Sequence, residues 1–175
     1  MNLTNRVTIK DLLKRHGAKA EKYLGQHFIL SKKALARMIA AAEIKKNDTI
    51  VEIGPGLGTL TQELRASGAK IVAIEKDPIM IGILKETLAG YKNIKIIQAD
   101  ARQISMSDID VGHRYLKKYK IVANLPYNVA TFLIRQWLEL DATPPSPPTG
   151  RIRRARPEKM VLMIQKEVAQ RIVAK

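Results

Sequence analysis

Two hydrophobic periods alternate along the chain. From Ser31 the segment SKKALARMIAAAEI sets Leu35, Met38, Ile39 and Ala42 on one face at helical spacing, and Ser31 stands where a cap belongs, so an amphipathic helix is predicted. Asn47 and Asp48 then turn the chain into TIVEIG, a short β-branched run ending in Gly54, Pro55, Gly56, Leu57 and Gly58, which reads as a strand entering a glycine loop. TLTQELRAS is helical and closes at Gly68, and KIVAIE is a second strand ending at the acidic pair Glu75 and Asp77. Asp77 and Pro78 supply a cap and a first-position proline for a helix through Ile81, Leu84 and Leu88, which Gly90 ends before a third strand, NIKIIQAD. After a polar stretch around residues 105–118 come a fourth strand, KIVANLP, and a helix over residues 129–140. A fifth strand, KMVLMIQ, and a last helix, KEVAQRIVA, follow a break at residues 143–157 that holds PPSPP and RIRRAR and suits neither a helix interior nor a strand. Upstream, residues 1–24 are polar and basic with a weaker helical pattern in Ile9, Leu12 and Leu13 that stops at Gly17, predicting a short helix and an arm.

Strands that are apolar throughout and separated by helices predict an α/β fold, with a parallel sheet covered on both faces. The 175 residues are 46% hydrophobic, enough for one core, and contain no cysteine, which excludes a disulfide framework or a thiolate metal site. A reducing compartment, the cytoplasm, is expected, and no apolar run approaches the ~18 residues of a membrane span, so neither export nor insertion is expected. Charge changes the picture most. Lys and Arg number 31 against 16 Asp and Glu, a formal net charge of +15. Solubility needs only a magnitude of ~2 to 8, so the excess points to a polyanionic partner, nucleic acid or anionic lipid. Aromatics are only 5%, which argues against a stacking platform for single strands as the main device.

In an open parallel sheet, ligands bind beyond the carboxyl ends of the strands. Here those ends read EIGPGLG, Glu75, Asp100 and Asn124-Leu125-Pro126-Tyr127. Gly54, Gly56 and Gly58 allow close backbone approach, and Glu75 lies about 20 residues beyond, where a carboxylate can take both hydroxyls of a ribose. The spacing G-x-G-x-G departs from the dinucleotide fingerprint G-x-G-x-x-G, and a purely structural tight turn is the alternative reading of the loop alone. Asp100 suits the exocyclic amine of an adenine, or else a turn or helix cap. The Asn124 side-chain oxygen and the Leu125 carbonyl could accept the N–H bonds of a second adenine amine and aim its lone pair at an electrophilic methyl. Pro126 would fix that bend, and Tyr127 would stack on a base taken out of its helix. Taken alone, the four residues also suit an ordinary strand-ending turn.

The chain resembles the KsgA/RsmA ribosomal RNA adenine dimethyltransferases, relatives of the Erm resistance methyltransferases. The resemblance rests on YLGQHFI at 23–29, VEIGPGLGTLT at 51–61, IEKD at 74–77, QADA at 98–101, NLPYNV at 124–129 and IQKEVAQRI at 164–172. It implies a Rossmann-like, class I S-adenosylmethionine-dependent methyltransferase that dimethylates two adjacent adenosines near the 3′ end of small-subunit ribosomal RNA during ribosome biogenesis. By motif position, Gln26, His27 and Ile29 would touch the cofactor from the N-terminal side; His27 stands where the family commonly has asparagine. Gly54 would lie under its methionine portion, with Gly56 also at the cofactor, Glu75 at the ribose, Asp100 at the adenine amine and Asn124 at the junction with the target. The resemblance further implies a basic arm and cofactor-contacting segment over 1–30 and an incomplete methyltransferase domain over 31–175, without the family's last strands and C-terminal helical domain. The stretch 143–157 looks like an insertion, whose Arg151, Arg153, Arg154 and Arg156 could meet RNA phosphates. The expected partner is the small ribosomal subunit, met by a monomer without a metal or a membrane. Two other functions remain open: a non-catalytic RNA-binding or ribosome-assembly factor, and an Erm-like methyltransferase of large-subunit RNA.

Overall fold

The strand–helix alternation written in the sequence is the one that forms. The computed structural model describes residues 1–18, 28–104, 109, 118–125, 129–138 and 156–174. Among these the strands are β1 (Thr49–Ile53), β2 (Lys70–Glu75), β3 (Ile94–Gln98), β4 (Lys120–Asn124) and β5 (Lys159–Met163). The helices are α1 (Arg6–Arg15), α2 (Lys32–Ala42), α3 (Thr59–Arg65), α4 (Pro78–Thr87), α5 (Ala130–Leu138) and α6 (Lys166–Val173). Every strand pair is parallel and the order is β3-β2-β1-β4-β5. The chain thus builds outward from β1 to β3, then returns to lay β4 on the other side of β1. That reversal puts the crevice of an open α/β sheet between the carboxyl ends of β1 and β4.

Side-chain alternation along the strands gives the sheet two apolar faces. Ile50, Ile71 and Val122 pack under Leu35, Met38 and Ala42 of α2 and Leu60 and Leu64 of α3. On the same face Ile81, Leu84 and Leu88 of the α4 region cover Ile94 and Ile96 of β3. Val51, Ile53, Val72, Ile74, Ile121 and Ala123 face the other way, beneath Ala130, Leu133, Ile134 and Trp137 of α5. The caps foreseen from sequence are present: the Ser31 hydroxyl accepts from the Ala34 N–H at 3.2 Å, and the Asp77 carboxylate accepts from the Ile79 N–H at 2.8 Å.

Two features were not foreseen. The expected short N-terminal helix forms as α1; what is new is where it packs, burying Ile9, Leu12 and Leu13 completely against Leu57 of the glycine loop and Met80 and Ile83 of α4. The second is the end of α2, where Glu43 takes a left-handed φ of 46°. Its exposed carbonyls are met by Lys120, whose ammonium donates to Ala42 O at 3.1 Å and Glu43 O at 2.7 Å and pairs with Asp48 at 2.8 Å. Burial pushes the Asp48 carboxyl up, but Lys120 and the Lys45 N–H pull it net below its ordinary value. A lysine opening a central strand is thereby used as a C-cap for a helix 78 residues earlier.

Candidate functional site

The loop after β1 is shaped by its glycines. Gly54, Gly56 and Gly58 have φ of 63°, 58° and 87°, the left-handed region that residues with a Cβ rarely adopt. At Gly58 space matters as well, since a Cβ would lie 3.1 Å from Leu84 and 3.2 Å from the Thr87 hydroxyl. The Gly58 N–H donates to Pro55 O at 3.0 Å, and the Gly54 N–H donates across to Ile74 O of β2 at 2.9 Å. On the other flank of the loop, a Cβ at Gly56 would come within 3.3 Å of the Phe28 ring. Of the two described residues of YLGQHFI, Phe28 and Ile29, Phe28 is the one placed against the loop. Ile29, by contrast, sits in the core beside Leu35 and Leu60 at 6% exposure.

Glu75 ends β2 with its carboxylate folded onto that loop. One oxygen accepts from the Gly56 N–H at 3.1 Å, and the other from the N–H groups of Lys76 at 2.8 Å and Asp77 at 2.9 Å. Burial pushes its carboxyl up, and these three N–H donors, which favour the charge, only partly oppose that. The result is an oriented, sheltered acceptor with lone pairs left over, which suits the hydroxyls of a ribose. Asp100, two residues beyond β3, is more engaged. Arg102 grips it through Nε at 3.0 Å and a terminal guanidinium nitrogen at 2.6 Å, and Lys76 adds an ammonium at 3.0 Å. The Arg102 side chain, then its backbone N–H, hold the Asp100 carboxyl well below the ordinary carboxylate range. Asp100 also caps its own turn, accepting from the Arg102 N–H at 3.0 Å. An adenine amine binding there has to share the carboxylate with two cations. Lys76 lies within the IEKD block and Arg102 just after QADA, but the sequence assigns neither a role at the site, although both stand within two residues of a strand-end acid.

Asn124 closes β4 opposite Met163, is half-buried, and leads into Leu125, whose N–H donates to Met163 O at 3.1 Å. The Asn124–Leu125 pair is therefore fixed on the strand adjoining β1, on the same sheet edge as the glycine loop and Glu75. Gln26, His27, Pro126, Tyr127, Arg151, Arg153 and Arg154 lie outside the described residues; Arg156 is exposed just before β5. No group of three or more potential metal ligands occurs among the described residues, and no helix among them is long and apolar enough to cross a membrane.

One acid escaped sequence reasoning altogether. Glu52, in the middle of β1, follows the alternation that also points Ile50 towards α2 and α3, and it is 1% exposed. Burial raises its carboxyl to about 8, and the nearby Glu75 charge adds to the rise. Neither its Oε2 nor the Thr61 hydroxyl finds a hydrogen-bond partner. The signal was present in TIVEI, a charged residue on the inner face of an otherwise apolar strand.

A parallel sheet with this switch point, a three-glycine loop after β1 and acids closing β2 and β3 define the Rossmann-like methyltransferase fold. The structure superposes on a dimethyladenosine transferase from Plasmodium falciparum with a TM-score of 0.60 at 30% identity, covering 85% of this chain and 47% of that one. It superposes on the 23S rRNA methyltransferase ErmE with a TM-score of 0.63 at 28% identity, covering 82% and 50%. The family model described as ribosomal RNA adenine dimethylase matches residues 17–175. Proteins named ribosomal RNA small subunit methyltransferase A are 40% identical over 166 residues in Dehalococcoides mccartyi and 44% identical over 169 residues in Rhodopseudomonas palustris, each covering 95% of this chain. The chain belongs to the ribosomal RNA adenine dimethylase family. It spans about half the length of these curated relatives, 52% and 54%.

Proposed function

We propose that the chain carries the methyl-transfer half of a small-subunit ribosomal RNA adenine dimethyltransferase, acting on two adjacent adenosines with S-adenosylmethionine as donor. The observation that carries this reading is the Glu75 carboxylate, buried at the end of β2 and holding the Gly56 N–H of the glycine loop at 3.1 Å. Acceptor and loop fit a ribose-bearing cofactor. Its sulfonium supplies an electrophilic methyl group. Gly54 lies under its methionine portion, with Gly56 also at the cofactor, Glu75 takes the ribose hydroxyls, and Asp100 receives the adenine amine beside Arg102 and Lys76. Gln26, His27 and Ile29 contribute from the N-terminal side.

An exocyclic adenine nitrogen is a poor nucleophile because its lone pair is delocalised into the ring. The Asn124 side-chain oxygen and the Leu125 carbonyl accept its two N–H bonds and turn the lone pair out of the ring plane. Pro126 sets the bend, and Tyr127 stacks on the extruded base. Positioning supplies most of the rate, so no strong base has to stand beside the nitrogen. The +15 charge draws in the RNA, with Arg151, Arg153, Arg154 and Arg156 adding phosphate contacts without base choice. The protein works as a cytoplasmic monomer on the small ribosomal subunit, away from membranes.

The test is incubation with methyl-labelled S-adenosylmethionine and undermethylated small ribosomal subunits, followed by nucleoside analysis. Dimethyladenosine in the small-subunit RNA is the expected product. Label in large-subunit RNA instead would establish the Erm-like reading, and RNA binding without cofactor uptake would establish a non-catalytic assembly factor.

A further inference from the structure

We infer that Thr87, at the last turn of α4, is a positioning residue for the cofactor loop, acting through the single peptide unit that joins Leu57 to Gly58. The inference rests on the proposed use of that loop to hold S-adenosylmethionine. The Thr87 hydroxyl donates to Leu57 O at 3.0 Å, inside the protein, while the N–H of the same peptide unit, on Gly58, donates to Pro55 O at 3.0 Å. A peptide unit is planar and stiff, so fixing its oxygen and its hydrogen fixes its whole orientation. The Pro55–Gly56 unit, two places back, is held in turn at both ends: its oxygen accepts that Gly58 N–H, and Glu75 accepts its Gly56 N–H at 3.1 Å. Three glycines with left-handed φ have little conformational preference of their own, so these hydrogen bonds, rather than side-chain bulk, decide the loop's shape.

The surroundings of Thr87 are arranged for that task. Gln62 of α3 donates its side-chain N–H to Thr87 O at 3.4 Å, and Leu84 and Leu88 press on Gly58 from the same helix. The Leu57 side chain is wholly buried among Leu3, Ile9, Leu12 and Leu13, so helix α1 closes the side of the loop that α4 does not. Glu86, next to Thr87, ties α1 to the same turn: one oxygen takes Arg15 at 2.6 Å and the other meets His16 Nε2 at 2.7 Å. The Thr59 hydroxyl adds a bond to Leu3 O at 3.4 Å. Residues 86 and 87 therefore join the N-terminal helix and the loop's main chain at one point. Neither Glu86 nor Thr87 belongs to the blocks that carry the family resemblance.

Thr87→Val keeps the shape of the side chain and removes its hydroxyl, whereas Thr87→Ser keeps the hydroxyl and removes the methyl. Calorimetric titration of each folded chain with S-adenosylmethionine, alongside amide exchange at Gly58, separates positioning from packing. The valine chain is expected to bind about tenfold more weakly, as for a lost buried hydrogen bond, with faster exchange at Gly58 and unchanged affinity for RNA. The serine chain is expected to lie within about threefold of the parent. Parent-like binding by the valine chain overturns the inference, as does an equal loss in both variants, since that would assign the effect to the methyl group. A parent chain that takes up no cofactor is a different failure, which removes the proposed function and this inference with it.

Discussion

Replacing Glu52 by glutamine should make the folded protein more stable at alkaline pH and change how its stability depends on pH. The Glu52 carboxyl is raised by burial to about 8 from its ordinary value of 4.5. Between pH 5.5 and 7.5 the unfolded chain has therefore released this proton and the folded chain still holds it. Stability then falls by about 1.4 kcal/mol per pH unit, or about 2–3 kcal/mol across the window. The sign follows from the raised value: the contribution is fully present below pH 4.5, is lost as pH rises, and levels off above about 8. Asp48, Glu86 and Asp100 are shifted downwards, so their contributions are lost only as pH falls below the ordinary carboxylate range. Glu75, raised by burial, titrates in both chains and largely cancels in the comparison. Glutamine fills the same volume and carries no titrating proton. Urea unfolding at half-unit steps from pH 5.5 to 7.5 should show the difference between variant and parent growing in the variant's favour by about 2–3 kcal/mol. A difference that stays constant with pH would refute the reasoning, because it would mean that Glu52 is already ionised in the fold.

Other substitutions test other parts of the account. Gly58→Ala meets both a left-handed φ and the close contacts with Leu84 and Thr87, whereas Gly90→Ala meets only the φ of 85°, in open space. The first should be less stable than the second by about 1–3 kcal/mol in denaturant unfolding, and equal losses would show that α4 gives way. Lys120→Met leaves the carbonyls of Ala42 and Glu43 and the Asp48 carboxylate without their ammonium, and should lower Tm by about 5–10 °C in a thermal melt; an unchanged Tm would remove Lys120 as the cap of α2. Asn124→Ala should cut methyl transfer by about a hundredfold or more while cofactor affinity stays within a few fold, a split read by single-turnover kinetics and titration. Replacing Arg151, Arg153, Arg154 and Arg156 together should flatten the salt dependence of RNA binding, and an unchanged slope would release that stretch from the interface.

The order of elements was legible because each is announced twice, once by its period and once by its ends. Strand β1 is a β-branched run stopped by glycine, and α4 is an apolar face opened by Asp77 and Pro78; both lie where the pattern puts them. The candidate site was legible because topology brings the four strand ends to one edge, and a parallel α/β pattern dictates that topology. What the sequence did not disclose depends on contacts between distant segments. Lys120 reads as a polar residue opening a strand, and nothing local says that it reaches back to α2. Asp100 reads as a free acceptor, and only the fold brings Lys76 within 3.0 Å of it. Helix α1 has a weak pattern because its buried stripe is narrow, so its closure of the glycine loop became visible only through Leu57.

The central claim is that the loop after β1 and the carboxylate ending β2 together hold an adenosyl cofactor. Calorimetric titration of the parent chain and of Glu75→Ala with S-adenosylmethionine tests it most directly. The account predicts one bound molecule per parent chain and a loss of at least about tenfold in the variant, as expected when charge-assisted hydrogen bonds to both ribose hydroxyls are removed. Equal affinity in the two chains, or no uptake by the parent, would contradict it.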